Sequence, residues 1–229
     1  MKFSNIRHIF FDLDHTLWDF DKNSGLAFSS IFQKHRIEVE LEDFLSVYTP
    51  INENYWRLYR EDKVTKEDLR YGRLKESFDG LKINVTDVQI DQLSIDYIDH
   101  LPHHNHLLEG TLEILNYLEA SYKLHIITNG FKEVQHRKLE SSGISKYFTT
   151  ITTSEDVGVK KPHPKIFETA LKNAKASIAE SVMIGDNLEA DILGAQNLGM
   201  RAILYNYHKN EFSENYHQVL QMKELTRFL

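Results

Sequence analysis

The chain has 229 residues, 41% of them hydrophobic and 27% charged, the balance of a folded globular protein rather than a disordered or membrane-embedded one. Its formal net charge of −7 argues against a nucleic-acid polymer or an anionic membrane surface as partner. It contains no cysteine, which excludes disulfides, thiol catalysis and Cys-based zinc sites and fits a cytoplasmic protein.

The first predicted element is a buried strand, the apolar run from Ile9 to Phe11. Asp12 interrupts it, so the run reads neither as a signal segment nor as a membrane span. Helical spacing then continues as far as Leu101-Pro102. Leu26, Ala27, Ser30 and Ile31 mark a first helix, followed by a polar break between Arg36 and Glu42. A second, from Glu42 to Glu61, carries Leu45, Tyr48, Tyr55, Leu58 and Tyr59. A third starts at Thr65, a hydroxyl N-cap followed by acids that suit the positive end of a helix, and stops near Gly80. A fourth begins at Thr86-Asp87.

From Leu107 onward helices and strands alternate. Gly110-Thr111 opens a helix, Leu124–Thr128 is a buried strand, and Phe131–Ser142 is a helix with Gly143 placed for a left-handed cap. The β-branched run Thr149–Thr153 is a strand, Pro162–Ala174 a helix and Ser181–Gly185 a strand. Asn187 caps a helix that ends at Gly199, and Arg201–Tyr205 is a fifth strand. Such alternation implies parallel strands joined by right-handed crossovers. The predicted fold class is therefore α/β: a Rossmann-like parallel sheet core (1–16 and 107–229) with an α-helical domain (17–106) inserted between strand one and strand two.

In open α/β sheets, ligands bind beyond the carboxyl ends of the strands. Strand one ends in Asp12 and Asp14, which at i and i+2 face one side of an extended chain. Two carboxylates that close repel unless a proton or cation lies between them. Alone, an Asx-rich turn accounts for the pair equally well. Strand two ends in Thr128-Asn129-Gly130 before a helix, where hydroxyl, amide and N-terminal N–H groups suit a phosphate. Alone, that is a simple cap. Strand three leads to Lys161, which by itself reads as a surface lysine. Strand four ends in Gly185-Asp186-Asn187, with Asp191 about one helical turn later; by itself this is another cap. Together the strand ends bring carboxylates to one point, which calls for a hard divalent cation with oxygen ligands, Mg²⁺. The lysine and the helix N-terminus beside them call for an anion bridging to that metal.

These four motifs, Asp12-x-Asp14-x-Thr16, Thr128-Asn129-Gly130, Lys161 and Gly185-Asp186 through Asp191, resemble the haloacid dehalogenase-like superfamily of aspartate-nucleophile phosphohydrolases. The resemblance spans essentially the whole chain. It implies that Asp12 attacks phosphorus to form an aspartyl-phosphate and that Asp14 is the general acid and base. It implies Mg²⁺ held by the Asp12 carboxylate, the Asp14 backbone carbonyl and the Asp186 carboxylate. Thr128, the Asn129 backbone N–H and Lys161 would hold the phosphoryl oxygens, with Thr16 and Asp191 orienting Asp14 and the surroundings of Lys161. His15 departs from the superfamily, in which glycine is commonest there. Dehalogenases and phosphonate hydrolases of this fold lack the second aspartate, so Asp14 with Asp186 favours phosphate-ester hydrolysis; mutases retain both.

The inserted helices resemble the family's cap, which closes over the site and selects the leaving group. Trp18, Phe20, Tyr55, Trp56, Tyr59 and Phe78 offer aromatic surface for a base, although each reads first as cap core. Arg70 and Arg73 read first as a solvated helix face. His103, His104 and His106 lie in the second hinge without a cysteine or clustered partner, which disfavours zinc. The runs Phe11–Asp19, Ile127–Phe131 and Val157–Phe167 look closest to the bacterial pyrimidine 5′-nucleotidase branch. The expected function is Mg²⁺-dependent hydrolysis of small phosphomonoesters, pyrimidine nucleoside monophosphates first. The alternatives are a phosphoglycolate or sugar-phosphate phosphatase or mutase, and a non-catalytic phosphate-binding module.

Overall fold

The structure is a computed structural model and describes residues 2–211 and 216–229. The chain forms two compact units, one of Met1–Phe20 with Asn105–Leu229 and one of Asp21–His104. The first is built on a six-stranded parallel sheet: β1 (His8–Phe11), β2 (Lys123–Thr128), β3 (Phe148–Thr153), β4 (Ser181–Gly185), β5 (Arg201–Tyr205) and β6 (Gln218–Val219). The spatial order is β3-β2-β1-β4-β5-β6. The expected α/β class and helical insertion after β1 are both present. β6 escapes a sequence reading because its two residues are too short to carry a periodic signal.

β1 lies between β2 and β4, so the chain winds outward from it in both directions and the crevice falls beyond its end. Register fixes what stands there. Phe11 pairs with Ile126 on one side and Ile184 on the other, so the residues just after β1, β2 and β4 emerge along one edge. On one sheet face Phe10, Ile127, Met183 and Leu204 pack against Ile166, Phe167, Ala170 and Leu171 of a helix over Pro164–Ala174. Each large side chain buried this way contributes roughly 1.5–3 kcal/mol. That helix starts at Pro164, not at Pro162 as its first proline implied: His163 is the N-cap, accepting from Lys165 N–H at 3.2 Å. Lys161 therefore sits in the approaching loop.

β1 and β2 also bury a histidine pair. His8 Nδ1 lies 3.0 Å from His125 Nε2, and His125 Nδ1 lies 2.8 Å from Thr150 Oγ1 on β3. The two imidazoles stack, and His125 is also stacked on Phe10.

The two connections to the insertion are bonded to each other. Trp18 bridges antiparallel to Leu107, Asp19 N–H donates to His106 C=O at 3.1 Å, and Leu108 N–H donates to Leu17 C=O at 3.0 Å. These pairings explain why 17–20 and 105–106 group with the sheet.

The second unit consists of α1 (Phe20–His35, from Asp21 on), α2 (Leu41–Arg60), α3 (Lys66–Gly80) and α4 (Asp87–His100). Thr65 and Thr86 each close a capping box, with Asp68 and Gln89 returning the bond. Phe28 anchors the core, 4.8 Å from Phe44 and 4.4 Å from Tyr97 between ring centroids. Arg73 is not on a solvated face. It is buried, with Nη1 donating to Asn52 Oδ1 at 2.9 Å and its guanidinium 5.0 Å from the Tyr97 ring centroid. Helical spacing alone does not distinguish such a cation from a solvated one. No helix among the described residues is long and apolar enough to cross a membrane.

Candidate functional site

Asp12 continues β1 by one residue, its N–H donating to Ile184 C=O at 2.9 Å. Asp186 follows directly after β4, so both carboxylates emerge at the crevice between neighbouring strands. A third joins them. Asp12, Asp186 and Asp191 each present an oxygen within 4.8 Å of the others.

Asp191 arrives by an irregular route. The helix expected from Asn187 to Gly199 is instead a π-helical turn, Leu188–Leu193, followed by a short helix at Gly194–Asn197. A π turn admits an extra residue and is frequent at functional sites. Asn187 Oδ1 caps it by accepting from Ala190 N–H at 2.9 Å, and Asp191 Oδ2 accepts from Asn187 N–H at 3.0 Å. The carboxylate thereby folds back over the end of β4. Only glycine permits this: a Cβ at Gly185 would stand 2.2 Å from Asp191 Oδ2.

Lys161 lies among these acids. Its ammonium donates to Asp12 Oδ1 at 2.5 Å and to Ile127 C=O at 2.8 Å, and lies 2.6 Å from Asp191 Oδ1. Burial works against the charge on Lys161, but the Asp12 and Asp191 carboxylates outweigh it and hold the amine above the ordinary lysine range. Burial, with Asp191 and Asp186 adding repulsion against the Lys161 attraction, holds Asp12 well above the usual carboxylate range. Asp186 is pushed up to about 8 by burial first and by Asp191 next. One ammonium thus contacts two buried carboxylates, Asp12 and Asp191, with the half-buried Asp186 beside them. Asp191 Oδ1, though ion-paired, lacks an aligned hydrogen-bond donor. The all-oxygen donor set and the negative surplus fit a hard divalent cation such as Mg²⁺. Asp191 belongs to this set by its carboxylate, whereas Asp14 is directed elsewhere.

The Asp14 carboxylate faces a helix over Lys132–Ser141 that follows the Thr128-Asn129-Gly130 loop. Its Oδ2 accepts from Gln135 Nε2 at 3.0 Å and its Oδ1 from Lys138 Nζ at 2.6 Å. Gln135 Nε2 also donates to Thr128 Oγ1 at 2.7 Å, and Gly130 N–H donates to the same oxygen at 3.1 Å. Asn129 does a different job with its side chain: Nδ2 donates to Lys161 C=O at 3.0 Å and Oδ1 accepts from Lys161 N–H at 2.7 Å. The loop after β2 therefore fixes the lysine backbone. The Thr16 hydroxyl, in the turn closed by its N–H on Leu13 C=O, donates to Asp186 Oδ1 at 3.3 Å rather than to Asp14.

Two further features explain departures in the sequence. His15 has a φ of 58°, in the left-handed region that favours glycine, the residue the family resemblance leads one to expect there. Gln135 and Lys138 were missed by sequence reading, since a Gln and a Lys on a charged helix pass for solvent-facing residues. Both are buried. The available signal was their i, i+3 spacing beside the apolar Val134 and Leu139, on the helix that starts at the phosphate-type loop.

The sequence profile described as haloacid dehalogenase-like hydrolase matches residues 9–205. The chain is 34% identical to pyrimidine 5′-nucleotidase YjjG of Escherichia coli, over 90% of this chain and 88% of that protein. It is 32% identical to glyceraldehyde 3-phosphate phosphatase of Pyrococcus abyssi, over 89% of this chain and 83% of that one. A crystal structure of the HAD-hydrolase YfnB from Bacillus subtilis, bound to magnesium, superposes with a TM-score of 0.89 at 27% identity, covering 98% of each chain.

Proposed function

This chain belongs to the haloacid dehalogenase-like hydrolase family, and we propose that it is a Mg²⁺-dependent phosphatase of small cytoplasmic phosphomonoesters, a 5′-nucleotidase acting on pyrimidine nucleoside monophosphates. The observation that carries the reading is Asp12, a buried carboxylate at the end of β1, 2.5 Å from a buried ammonium and grouped with two further acids.

In the first step an Asp12 oxygen forms a bond to phosphorus while the ester P–O bond breaks. Its electron pair stays on the departing oxygen, which takes a proton from the Asp14 carboxyl group. In the second, water attacks the aspartyl-phosphate, Asp14 takes the proton from that water, and inorganic phosphate leaves as the Asp12 carboxylate reforms. Lys161 and Thr128 hold the non-bridging phosphoryl oxygens. Thr128 Oγ1 already accepts two hydrogen bonds, which directs its own O–H toward a phosphoryl oxygen. Mg²⁺, held by the Asp12 and Asp186 carboxylates and the Asp14 carbonyl with Asp191 beside them, would supply the positive charge that offsets carboxylate–phosphate repulsion.

The nucleotidase refinement is supported by the similarity to YjjG over nine-tenths of the chain. The second reading, a sugar-phosphate phosphatase, is supported by the similar identity to the glyceraldehyde 3-phosphate phosphatase. A panel of UMP, glyceraldehyde 3-phosphate and phosphoglycolate with Mg²⁺, run beside Asp12→Asn, tests both. The mechanism requires hydrolysis that Asp12→Asn abolishes. Equal kcat/KM on UMP and on the triose phosphate would remove the nucleotidase refinement. No hydrolysis of any ester would leave a phosphate-binding module.

A further inference from the structure

Lys138 has no part in the mechanism above, yet the fold takes an ammonium out of water and aims it at Asp14. Its side chain is 2% exposed, and Nζ lies 2.6 Å from Asp14 Oδ1. Burying a cation is costly unless it is paired and held, so a lysine is not retained there as filler. Two aromatic faces hold it further: Nζ is 4.2 Å from the Trp18 ring centroid and 5.3 Å from that of Phe20. One turn earlier on the same helix, Gln135 donates to the other oxygen of Asp14. We propose that Lys138 is a positioning residue for the general acid and base, fixing the Asp14 carboxylate between its ammonium and the Gln135 amide.

The inference rests on the role proposed for Asp14. An acid that protonates a leaving oxygen must hold its own oxygen within hydrogen-bond reach of it, and a carboxylate on a short side chain otherwise rotates freely about its last torsion. With one donor on each oxygen, rotation is blocked, while each oxygen keeps a second lone pair for the substrate or for water. Trp18 and Phe20 stand on the segment by which the chain leaves the sheet unit, so that segment sets the ammonium and the ammonium sets Asp14. Gln135 extends the arrangement to Thr128, so one amide on this helix bonds both the acid and the phosphate-holding hydroxyl.

The test uses leaving-group dependence, which a merely structural defect does not alter. UMP departs as an alkoxide and needs the Asp14 proton, whereas p-nitrophenyl phosphate departs as a stable phenolate and does not. Because kcat/KM reports only the steps through leaving-group departure, the ratio of kcat/KM on UMP to that on p-nitrophenyl phosphate isolates proton donation. In Lys138→Met this ratio falls by about 10- to 100-fold, the scale of a misplaced acid, with KM for UMP little changed. Lys138→Arg, which restores charge, donor and ring contact, recovers most of it. Asp14→Asn is the reference. If Asp14→Asn lowers the ratio and Lys138→Met lowers both substrates equally, or neither, the positioning role is wrong. If Asp14→Asn itself leaves the ratio unchanged, the reading of Asp14 as the acid fails and the proposal falls with it. Should Lys138→Met not fold, Lys138→Leu, which likewise removes both donor and charge, supports the same comparison with the same outcomes.

Discussion

Acidification should destabilise the sheet unit through His125. This imidazole is fully buried, between His8 and Thr150, and burial first, then the His8 and Lys123 charges, lower its pKa to about 4 from 6.5. His8 is lowered as well, by burial and by Lys123 and Arg7, against the opposing pull of Glu180. The folded state thus binds the proton more weakly than the unfolded chain. Stability is complete above pH 6.5, declines as the pH falls from 6.5 toward 4 and levels off below that. At roughly 1.4 kcal/mol for each pH unit between the two values, the loss is about 3 kcal/mol, or about 6–12 °C in Tm for a chain of this size. Asp12 and Asp186, held above the usual carboxylate range, shift the opposite way, since their protonation favours the folded state. The quantity to read is therefore a difference. Urea denaturation of wild type and of His125→Gln, in EDTA at intervals from pH 7.5 to 4.5, should give a steeper loss in wild type. Parallel stability–pH curves would refute the neutral buried pair.

Three other outcomes follow from the site. Mg²⁺ at about 100 times its Kd should raise Tm by an amount equivalent to about 2.7 kcal/mol, and Asp186→Asn should abolish most of that rise in thermal melts. Gly130→Ala would place a Cβ 2.3 Å from Gln135 Nε2; by displacing the Gln that bridges Asp14 and Thr128 it should lower kcat/KM about 100-fold in steady-state assays, with Tm falling by only a few degrees. Gly185→Ala pushes against Asp191 Oδ2, 2.2 Å from the new Cβ. It should weaken Mg²⁺ binding about tenfold or more by isothermal titration, as expected for loss of a residue that orients a ligand set.

Periodicity and turn chemistry made the larger architecture readable. Five strands, the helix starts at threonines 65 and 86, and the left-handed Gly143 lie where local sequence indicates, because each signal is set by near neighbours. Asp12, Lys161 and Asp186 were legible because strand ends in a parallel sheet gather along one edge. What remained hidden depends on contacts between distant residues. The π turn that folds Asp191 over Gly185 follows from a side chain bonding back to Asn187, and hydrophobic spacing carries no trace of it. Lys138 and Arg73 look like ordinary surface cations until tertiary packing surrounds them with Trp18 and Asp14, or with Asn52 and Tyr97.

The paired connections at Leu17–Asp19 and His106–Leu108 have a consequence for how this protein can change. The chain leaves and re-enters the sheet unit through two backbone segments that hydrogen-bond to one another, so the two cut points lie one strand spacing apart, about 5 Å. A two-residue turn is long enough to join them. Everything between could be shortened, exchanged for another helical segment or deleted without stretching the sheet, moving Asp12 or rerouting a crossover. The sheet unit and the helical unit are thus separately replaceable parts joined at a single closed junction.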